Sequence, residues 1–252
     1  MINFVGTGCG AVDLITLRGK RLIEEADIII YAGSLINKEL LNFSKKDCVL
    51  YNSALMNLDE IMNVMIEGEK NNKNVVRLHS GDPSIYGSIC EQMQILDDNN
   101  ISYEICPGVS ALSGAASSLK KEYTPAEVSQ TVIITRVEGK TKVPELENVA
   151  SLAKHHSSMV FFLSTGLLDK LTKELIKGGF SPSGPASIVY KATWPDEIII
   201  NCTIEELEKK ALENNITKTA LICVGDFLKG KGSKSKLYSK DFTTEFRNGS
   251  NK

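Results

Sequence analysis

The sequence lacks several features that would point to a function at once. Its formal net charge is only −2, so no overall basic field would attract nucleic acid. Its six cysteines include no C-x-x-C pair, and its three histidines include the adjacent pair His155-His156. Neither set has metal-ligand spacing or forms a disulfide framework. We therefore expect no metal site, and we expect reduced, mostly buried thiols in a cytoplasmic protein.

Long apolar runs are also missing. No stretch approaches the ~18 residues that a membrane-spanning helix needs. The N-terminus, Met1-Ile2-Asn3-Phe4, lacks the basic region and apolar core of a signal peptide. These absences predict no membrane partner. The remaining composition, 42% apolar and 24% charged over 252 residues, is typical of a globular protein with one large domain or two compact ones.

Short β-branched runs alternate with amphipathic stretches along the chain. Strands are predicted at 2–5, 27–31, 48–51, 75–79, 101–106, 131–135, 159–163, 186–190, 197–200 and 220–224. Helices are predicted at 13–26, 58–71, 85–96, 109–119, 144–154, 167–177 and 204–214, the last opened by a Thr203–Glu206 capping box. A charged, turn-forming stretch near residue 120 divides the pattern. We predict α/β domains over 1–120 and 121–228, and a flexible basic tail over 229–252.

Three loops of the first half carry glycine and directly follow predicted strands. We name them the first (Gly6–Gly10), second (Ser80–Gly87) and third (Pro107–Ala111) glycine loops. Open α/β sheets bind ligands at the carboxyl ends of their strands, and small residues expose the backbone to a ligand. With one carboxylate, Asp82, such a pocket suits a nucleoside or an amino-acid-like cofactor better than a metal. The alternative, which stays open, is that the three loops are tight only because of packing and bind no ligand.

Standard nucleotide fingerprints do not match the first glycine loop. Its glycines stand at 6, 8 and 10, whereas a dinucleotide site needs G-x-G-x-x-G with an acidic residue closing the second strand. Asp27 opens that strand instead, and no Gly-Lys-Ser/Thr follows. An NAD(P)-dependent oxidoreductase or a non-catalytic nucleotide-binding module is therefore the weaker hypothesis.

Taken in order, the three glycine loops resemble the cofactor loops of the tetrapyrrole methylase family. The first loop, followed by Leu14-Ile15-Thr16, is similar to the opening loop of that family. One position departs from it, because Cys9 stands where the family usually has proline. Without the proline ring the φ angle is freer and an N–H is restored, so the loop is expected to be less rigid.

Other segments resemble one subfamily. Tyr31–Asn37 is similar to the segment typical of precorrin-4 and cobalt-precorrin-4 methyltransferases, which act at carbon 11 in corrin-ring synthesis. In the second half, Thr135-Arg136, Phe161–Ser164 and Lys191–Glu197 look like the same subfamily. The resemblance runs from Ile2 to about Leu228.

This resemblance implies a fold, a cofactor and a reaction. It implies two α/β domains of the class III methyltransferase type, with S-adenosylmethionine in a cleft between them, and a homodimer. The cofactor contacts that it implies are Cys9, Ser80, Gly81, Asp82, Ile85, Ser110, Ala111, Leu163, Ala192, Val224 and Gly225. Pattern alone would instead place Leu163 and Ala192 in the core.

The implied reaction is C-methylation of cobalt-precorrin-4 at carbon 11, which gives cobalt-precorrin-5A. The alternatives are methylation of metal-free precorrin-4 and methylation of another ring carbon. Because the donor is already activated, the protein mainly aligns the reactants, and no catalytic residue is assigned. The tetrapyrrole carries many carboxylates, and its candidate partners are Arg18, Lys20, Arg136 and Lys191. Ordinary solvated charge explains each of these four cations equally well.

Overall fold

The structure, a computed structural model, describes residues 1–230, 232 and 239–250. Part of the predicted basic tail, residues 231, 233–238, 251 and 252, lies outside the described residues. The chain forms two compact units. Unit 1 contains Met1–Ala115 and Lys191–Glu197, and unit 2 contains Ala116–Tyr190 and Ile198–Lys252. The 191–197 segment therefore belongs to unit 1, although it lies in the second half of the sequence.

Unit 1 is built on a sheet of five parallel strands. The strands are β1 (Ile2–Gly6), β2 (Ile28–Tyr31), β3 (Val49–Asn52), β4 (Val75–His79) and β5 (Tyr103–Cys106). The helices are α1 (Leu17–Glu25), α2 (Leu58–Lys70), α3 (Cys90–Asp98) and α4 (Ala111–Leu119), which crosses the division between the units. The spatial order is β3-β2-β4-β1-β5, and every pairing is parallel.

Both faces of this sheet are covered. Every residue of β1 and β4 is buried. Phe4 and Val75 belong to one apolar cluster, and Val5 and Leu78 belong to another. Successive side chains of a strand point to opposite faces, so each strand supplies both clusters. Two covered faces are typical of parallel sheets and explain the continuous apolar runs in the sequence.

The strand order places a crevice between β1 and β4. From β1 the chain runs to β2 on one side of this pair, whereas from β4 it runs to β5 on the other side. Adjacent parallel strands whose connections leave in opposite directions form the switch point where open α/β sheets bind ligands. The first and second glycine loops follow these two strands.

Unit 2 carries a mixed sheet with the order β6-β7-β10-β8-β9. Its strands are β6 (Val132–Arg136), β7 (Ser158–Phe162), β8 (Pro185–Tyr190), β9 (Ile198–Thr203) and β10 (Ala220–Val224). Its helices are α5 (Val149–Ala153), α6 (Leu168–Lys177) and α7 (Leu207–Glu213). Only β6 and β7 pair in parallel, and the other three pairings are antiparallel. The two sheets confirm the predicted α/β class.

The predicted starts of α1, α3 and α5 were wrong by four or five residues. Helix α5 begins at Val149 rather than at residue 144, because the Asn148 side chain caps it by accepting the Ser151 N–H. Helix α3 begins at Cys90 rather than at residue 85, because Tyr86 and Ser88 have φ angles of 55° and 50° that no α-helix accepts. Helix α1 begins at Leu17 rather than at residue 13, because the Thr16 hydroxyl caps it by accepting the Gly19 N–H. The capping box of Thr203 and Glu206 is confirmed, although it opens a short 3-10 turn that precedes α7.

None of the helices among the described residues is long and apolar enough to cross a membrane.

Candidate functional site

The first and second glycine loops are joined by backbone hydrogen bonds. The Gly8 N–H donates to the Gly81 carbonyl at 3.2 Å, and the Gly81 N–H donates to the Gly8 carbonyl at 2.8 Å. The Thr7 N–H donates to the His79 carbonyl at 2.8 Å. The bond from Thr7 extends the parallel β1–β4 pairing, and the two bonds between Gly8 and Gly81 form an antiparallel bridge beyond the strand ends. The two loops therefore form one backbone platform at the switch point.

The third glycine loop packs directly against this platform. A Cβ at Gly108 would lie 2.2 Å from the Gly81 carbonyl oxygen and 2.8 Å from the Gly6 carbonyl carbon. A Cβ at Gly6 would lie 2.6 Å from the same oxygen. No side chain fits at either position, so packing explains these two glycines. Gly81 differs, because its φ of 62° favours glycine although a Cβ there would meet nothing closer than 3.4 Å.

Asp82 ties the second loop to the third. Its Oδ2 accepts the Gly108 N–H at 2.8 Å, and its Oδ1 accepts the Ser84 N–H at 2.9 Å and the Ser84 hydroxyl. Partial burial alone would raise the pKa of this carboxyl. The hydrogen bonds from Ser84 and Gly108 outweigh that effect, so the pKa lies below its ordinary value. The carboxylate therefore joins the second loop to the third, and only its remaining lone pairs are available to a ligand.

The other predicted cofactor residues of these loops keep accessible surface. Ser80 is exposed, and Ile85, Ser110 and Ala111 are half-buried. The Ser110 hydroxyl accepts the Leu112 N–H at 3.2 Å at the start of α4. The structure therefore brings Ser80, Gly81 and Asp82 together with the third loop, as the sequence predicted for one face of a ligand site.

The first loop is held from its other side by two distant segments. The Asn37 side chain donates to the Gly10 carbonyl at 3.0 Å. The Trp194 indole N–H donates to the Cys9 carbonyl at 3.1 Å, and the Ala11 N–H donates to the Thr193 hydroxyl at 3.0 Å. Tyr31–Asn37 and the 191–197 segment, both noted in the sequence, thus meet at the first loop. Nothing in the sequence predicted these bonds.

Cys9 and Ala192 are buried beside one another in unit 1. Cys9 is 8% exposed and Ala192 is 5% exposed. A Cβ at Gly114 would lie 2.8 Å from the Cys9 Sγ and 3.4 Å from the Ala192 Cβ. The pattern-based prediction that Ala192 is a core residue is therefore confirmed, and any cofactor contact by Cys9 or Ala192 involves mainly the backbone.

A cavity of about 590 Å³ opens beside the first loop within unit 1. Its walls include Phe43, Trp194 and Pro195, and its polar groups include Lys20 and Asn37. A largely apolar cavity of this size with a few polar groups is typical of small-molecule sites.

A buried polar pair under the second loop was missed by the sequence analysis. Arg77 and His79 are 6% and 5% exposed. Burial, with a contribution from the Arg77 charge, lowers the pKa of His79 to about 3, so the ring is neutral. Burial also lowers the pKa of Arg77 to about 10, and its guanidinium donates to the Ile30 and Leu78 carbonyls. Arg77 and His79 stand in a short, mostly apolar strand, so the sequence pattern did not distinguish them from ordinary strand residues.

The four candidate substrate-binding cations differ in their surroundings. Arg18 is exposed on α1. Lys20 pairs with Glu24 and lies 4.9 Å from the Phe43 ring centroid. Lys191 pairs with Asp196 at 2.5 Å. Arg136, in unit 2, donates to the Val137, Thr141 and Lys142 carbonyls of its own loop. Arg18 thus has the most exposed position of the four, whereas the Arg136 guanidinium already donates to three backbone carbonyls.

In unit 2, the strand register separates the predicted cofactor residues. Leu163 directly follows β7, whereas Val224 ends β10, and these strands are antiparallel with Val224 opposite Met159. Leu163 is therefore about 13 Å from Val224 along the strands, at ~3.3 Å per residue. Val224 is fully buried and Gly225 is also buried, whereas Leu163 is 71% exposed. The pattern-based prediction of Leu163 as a core residue was wrong, because the chain turns outward there with a φ of 51°.

Continuing the same register places Ala220, not Val224, beside Leu163. Ala220 also pairs with Tyr190, the last residue of β8. Thr219, which precedes Ala220, is exposed and has a φ of 60°. Strained, exposed backbone at adjoining strand ends is typical of functional sites. The unit 2 candidates that geometry brings together are therefore Leu163, Thr219 and Ala220.

The described residues contain no group of three or more His, Cys, Asp or Glu side chains placed to hold a metal ion.

Comparison with known proteins gives consistent matches. Residues 1–208 match the family described as Tetrapyrrole (Corrin/Porphyrin) Methylases. The chain is 52% identical over 247 residues to a cobalt-precorrin-4 C(11)-methyltransferase from Methanocaldococcus jannaschii, covering 98% of this chain and 95% of that relative.

Solved structures are similar as well. The X-ray structure of a cobalamin biosynthetic enzyme, cobalt-precorrin-4 methyltransferase, matches with a TM-score of 0.88 and 41% identity, covering 90% of this chain and 95% of that one. Uroporphyrin-III C-methyltransferase from Thermus thermophilus, complexed with S-adenosyl homocysteine, has a TM-score of 0.76 over 91% of this chain and 99% of that one. At 23% identity the second likeness shows the fold alone.

Proposed function

Because the chain belongs to the tetrapyrrole methylase family, we propose that it methylates carbon 11 of cobalt-precorrin-4 with S-adenosylmethionine. The observation that carries this proposal is the 52% identity, over 98% of the chain, to a relative with that activity. The convergence of Tyr31–Asn37 and the 191–197 segment on the first glycine loop supports it, because these are the segments that resemble the subfamily. The product is cobalt-precorrin-5A.

The glycine platform fits S-adenosylmethionine. Its three loops leave backbone groups and short side chains accessible at the switch point, where a nucleoside and an amino acid can be held by backbone contacts. Ser80, Gly81, Asp82, Ile85, Ser110 and Ala111 would hold the cofactor in unit 1, with Cys9 and Ala192 contributing backbone. Leu163, Val224 and Gly225 remain the proposed contacts in unit 2, and the strand register adds Thr219 and Ala220 beside Leu163.

When bound, S-adenosylmethionine supplies a methyl group already activated on a sulfonium. The residues of this chain then need to bind and orient rather than to transfer protons. Asp82, ionised and fixed by Gly108 and Ser84, presents negative charge close to where a cationic group would bind. Neutral His79 adds no positive charge to that of Arg77 beneath the second loop.

The tetrapyrrole substrate carries carboxylates that need cationic partners. We propose Arg18 as the strongest of the four candidates because its guanidinium is exposed. Lys20 lines the cavity beside the first loop, so it is the second choice. Lys191 and Arg136 are engaged with Asp196 and with backbone carbonyls, so their contribution requires rearrangement. We further propose that the protein acts as a homodimer in the cytoplasm.

Calorimetric titration tests the cofactor class directly. We expect S-adenosylhomocysteine to bind with micromolar affinity and NAD(P) to give no heat of binding. The reverse result would move the protein to the oxidoreductase hypothesis. Incubation with metal-free precorrin-4 in parallel with cobalt-precorrin-4, followed by mass spectrometry, tests the substrate. Faster methylation of the metal-free compound would contradict the cobalt assignment.

A further inference from the structure

Three consecutive residues, the last two of the first glycine loop and Ala11 after it, are bonded to the 191–197 segment or to Asn37. Thr193 and Trp194 supply most of these contacts. The Thr193 hydroxyl accepts the Ala11 N–H at 3.0 Å and donates to the Cys9 Sγ at 3.4 Å. The Trp194 indole donates to the Cys9 carbonyl at 3.1 Å. Two side chains therefore fix the loop on both sides of Gly10.

The Trp194 ring also packs on Gly10 itself. A Cβ at Gly10 would lie 2.1 Å from the Trp194 Cδ1 and 2.5 Å from its Nε1. The absence of a side chain at Gly10 lets the indole reach the Cys9 carbonyl. Gly10 is thus explained by contact with Trp194 rather than by a turn.

The 191–197 segment holds an unfavourable backbone conformation while making these contacts. Lys191 and Thr193 have φ angles of 47° and 69°, which cost a non-glycine residue about 1 kcal/mol or more each. The Thr193 N–H donates to the Glu197 carboxylate at 2.6 Å, and Lys191 pairs with Asp196, so the segment is braced internally. Strain that persists because neighbours enforce it indicates a positioning role.

The contact between Thr193 and Cys9 depends on the residue that distinguishes this first loop. Proline at position 9 would restrict φ to about −65° and would offer no side-chain acceptor. Cys9 instead offers a thiol that Thr193 reaches.

We propose that Thr193 and Trp194 are positioning residues that lock the first glycine loop in its cofactor-binding conformation, supplying the rigidity that proline at position 9 would otherwise give. This inference rests on the proposed function for its effect on the cofactor. Its effect on the ligand-free loop does not depend on that function.

Two substitutions test the lock with most of the packing retained. Trp194→Phe removes the indole N–H and keeps a ring against Gly10, and Thr193→Val removes the hydroxyl and keeps the branched shape. Because each loses one or two hydrogen bonds that order the loop, we expect the dissociation constant of S-adenosylhomocysteine to rise about fivefold or more. The KM for S-adenosylmethionine should rise in parallel, with kcat changed by less than about twofold.

The matched control is Thr172→Val in unit 2, where the Thr172 hydroxyl also makes a hydrogen bond to the backbone, donating to the Ile204 carbonyl at 3.0 Å. We expect this control to lower the melting temperature about as much as Thr193→Val does, and to leave S-adenosylhomocysteine binding unchanged. If Thr193→Val and Trp194→Phe behaved like this control, their role would be structural only and the proposal would fail.

Rescue by proline tests the stated reason for the lock. In a Cys9→Pro background, Trp194→Phe and Thr193→Val should each weaken S-adenosylhomocysteine binding by less than about twofold, since the ring restricts the loop. An undiminished effect in that background would overturn the proposal. If Cys9→Pro does not fold, the two single variants and the Thr172→Val control still test whether Thr193 and Trp194 position the loop.

Amide hydrogen exchange separates this inference from the proposed function. In ligand-free protein, the Ala11 amide should exchange at least about fivefold faster in Thr193→Val than in the wild type, because it loses its acceptor. Unchanged exchange over residues 8–11 in both variants would refute the lock. A wild-type protein that failed to bind S-adenosylhomocysteine would refute the function instead, and the exchange result would stand alone.

Discussion

Parallel strands in unit 1 and antiparallel strands in unit 2 place the loops that follow them differently. In unit 1 all five strands run the same way, so the loops after β1, β4 and β5 meet at one edge. In unit 2 β10 runs against β7 and β8, so the loops that follow these strands alternate between edges. A rule that ligands bind after strands therefore gathers its candidates at one edge of the first sheet and divides them between two edges of the second.

The two units also differ in how their candidate loops are held. In unit 1 the glycine loops contact one another directly, through hydrogen bonds and close packing. The residues that make these contacts are Gly6, Gly81, Asp82 and Gly108. In unit 2 the candidate residues Leu163 and Thr219 are exposed and have positive φ angles. Unit 1 thus offers a prebuilt backbone platform, and unit 2 offers exposed loop residues at one sheet edge.

The largest effect is expected from a side chain inside the platform. In Gly108→Ala the new Cβ would collide with the Gly81 carbonyl oxygen, 2.2 Å away. We expect stability to fall by about 3 kcal/mol and S-adenosylhomocysteine affinity to fall at least about a hundredfold. Gly166→Ala in unit 2 is the control, because a Cβ there meets only the Thr217 carbonyl at 4.0 Å. Equal, small effects on the two variants would show that the platform is not tightly packed.

The next effect tests the start of β10 as a proposed cofactor-binding position. Thr219→Arg puts a long side chain at the exposed start of β10, and we expect S-adenosylhomocysteine affinity to fall about tenfold or more. Thr217→Arg adds the same side chain and charge two residues earlier, also at an exposed position. We expect the control to bind almost normally. If Thr219→Arg bound normally by calorimetry, the register argument that adds Thr219 to the candidates would be wrong.

A smaller effect is expected at the carboxylate that ties the second and third loops. In Asp82→Asn one acceptor oxygen becomes a donor that faces an N–H or hydroxyl group, so S-adenosylhomocysteine affinity should fall about fivefold. The folded pKa of Asp82 lies below its ordinary value of 3.8. The carboxylate therefore stabilises the protein fully above that ordinary value, and the stabilisation is lost as pH falls through the lower folded pKa.

Urea unfolding of wild type and Asp82→Asn at several pH values measures this contribution. The difference in unfolding free energy should be constant near neutral pH and should shrink towards zero in strong acid. A difference that did not change with pH would mean that folding leaves the pKa of Asp82 at its ordinary value.

The smallest effect concerns the substrate. Arg18→Gln removes an exposed cation, so the free energy of unfolding should change by less than about 0.5 kcal/mol. The KM for cobalt-precorrin-4 should rise about three- to tenfold through one lost charge-assisted hydrogen bond, and the KM for S-adenosylmethionine should not change. Arg21→Gln, also exposed and on the same helix, is the matched control. Identical kinetics for both variants would leave Arg18 as ordinary surface charge.

Sequence patterns predicted the platform because its determinants are local. Short residues after β-branched runs mark the three glycine loops, and parallel pairing then brings them together without further information. The lock on the first loop could not be predicted, because Trp194 and Cys9 are 185 residues apart and their hydrogen bond leaves no periodic signal. The position of Val224 relative to Leu163 was equally hidden, since strand direction in a mixed sheet is set by tertiary pairing.

Transfer of an isotopically labelled methyl group tests the central claim most directly. The protein is incubated with cobalt-precorrin-4 and S-adenosylmethionine carrying ¹³C in the methyl group, and the product is examined by NMR. We predict one new labelled methyl on the macrocycle, attached to carbon 11, and unlabelled S-adenosylhomocysteine. A label at another ring carbon, or a macrocycle that stays unlabelled while the protein is folded and binds S-adenosylhomocysteine, would contradict the account.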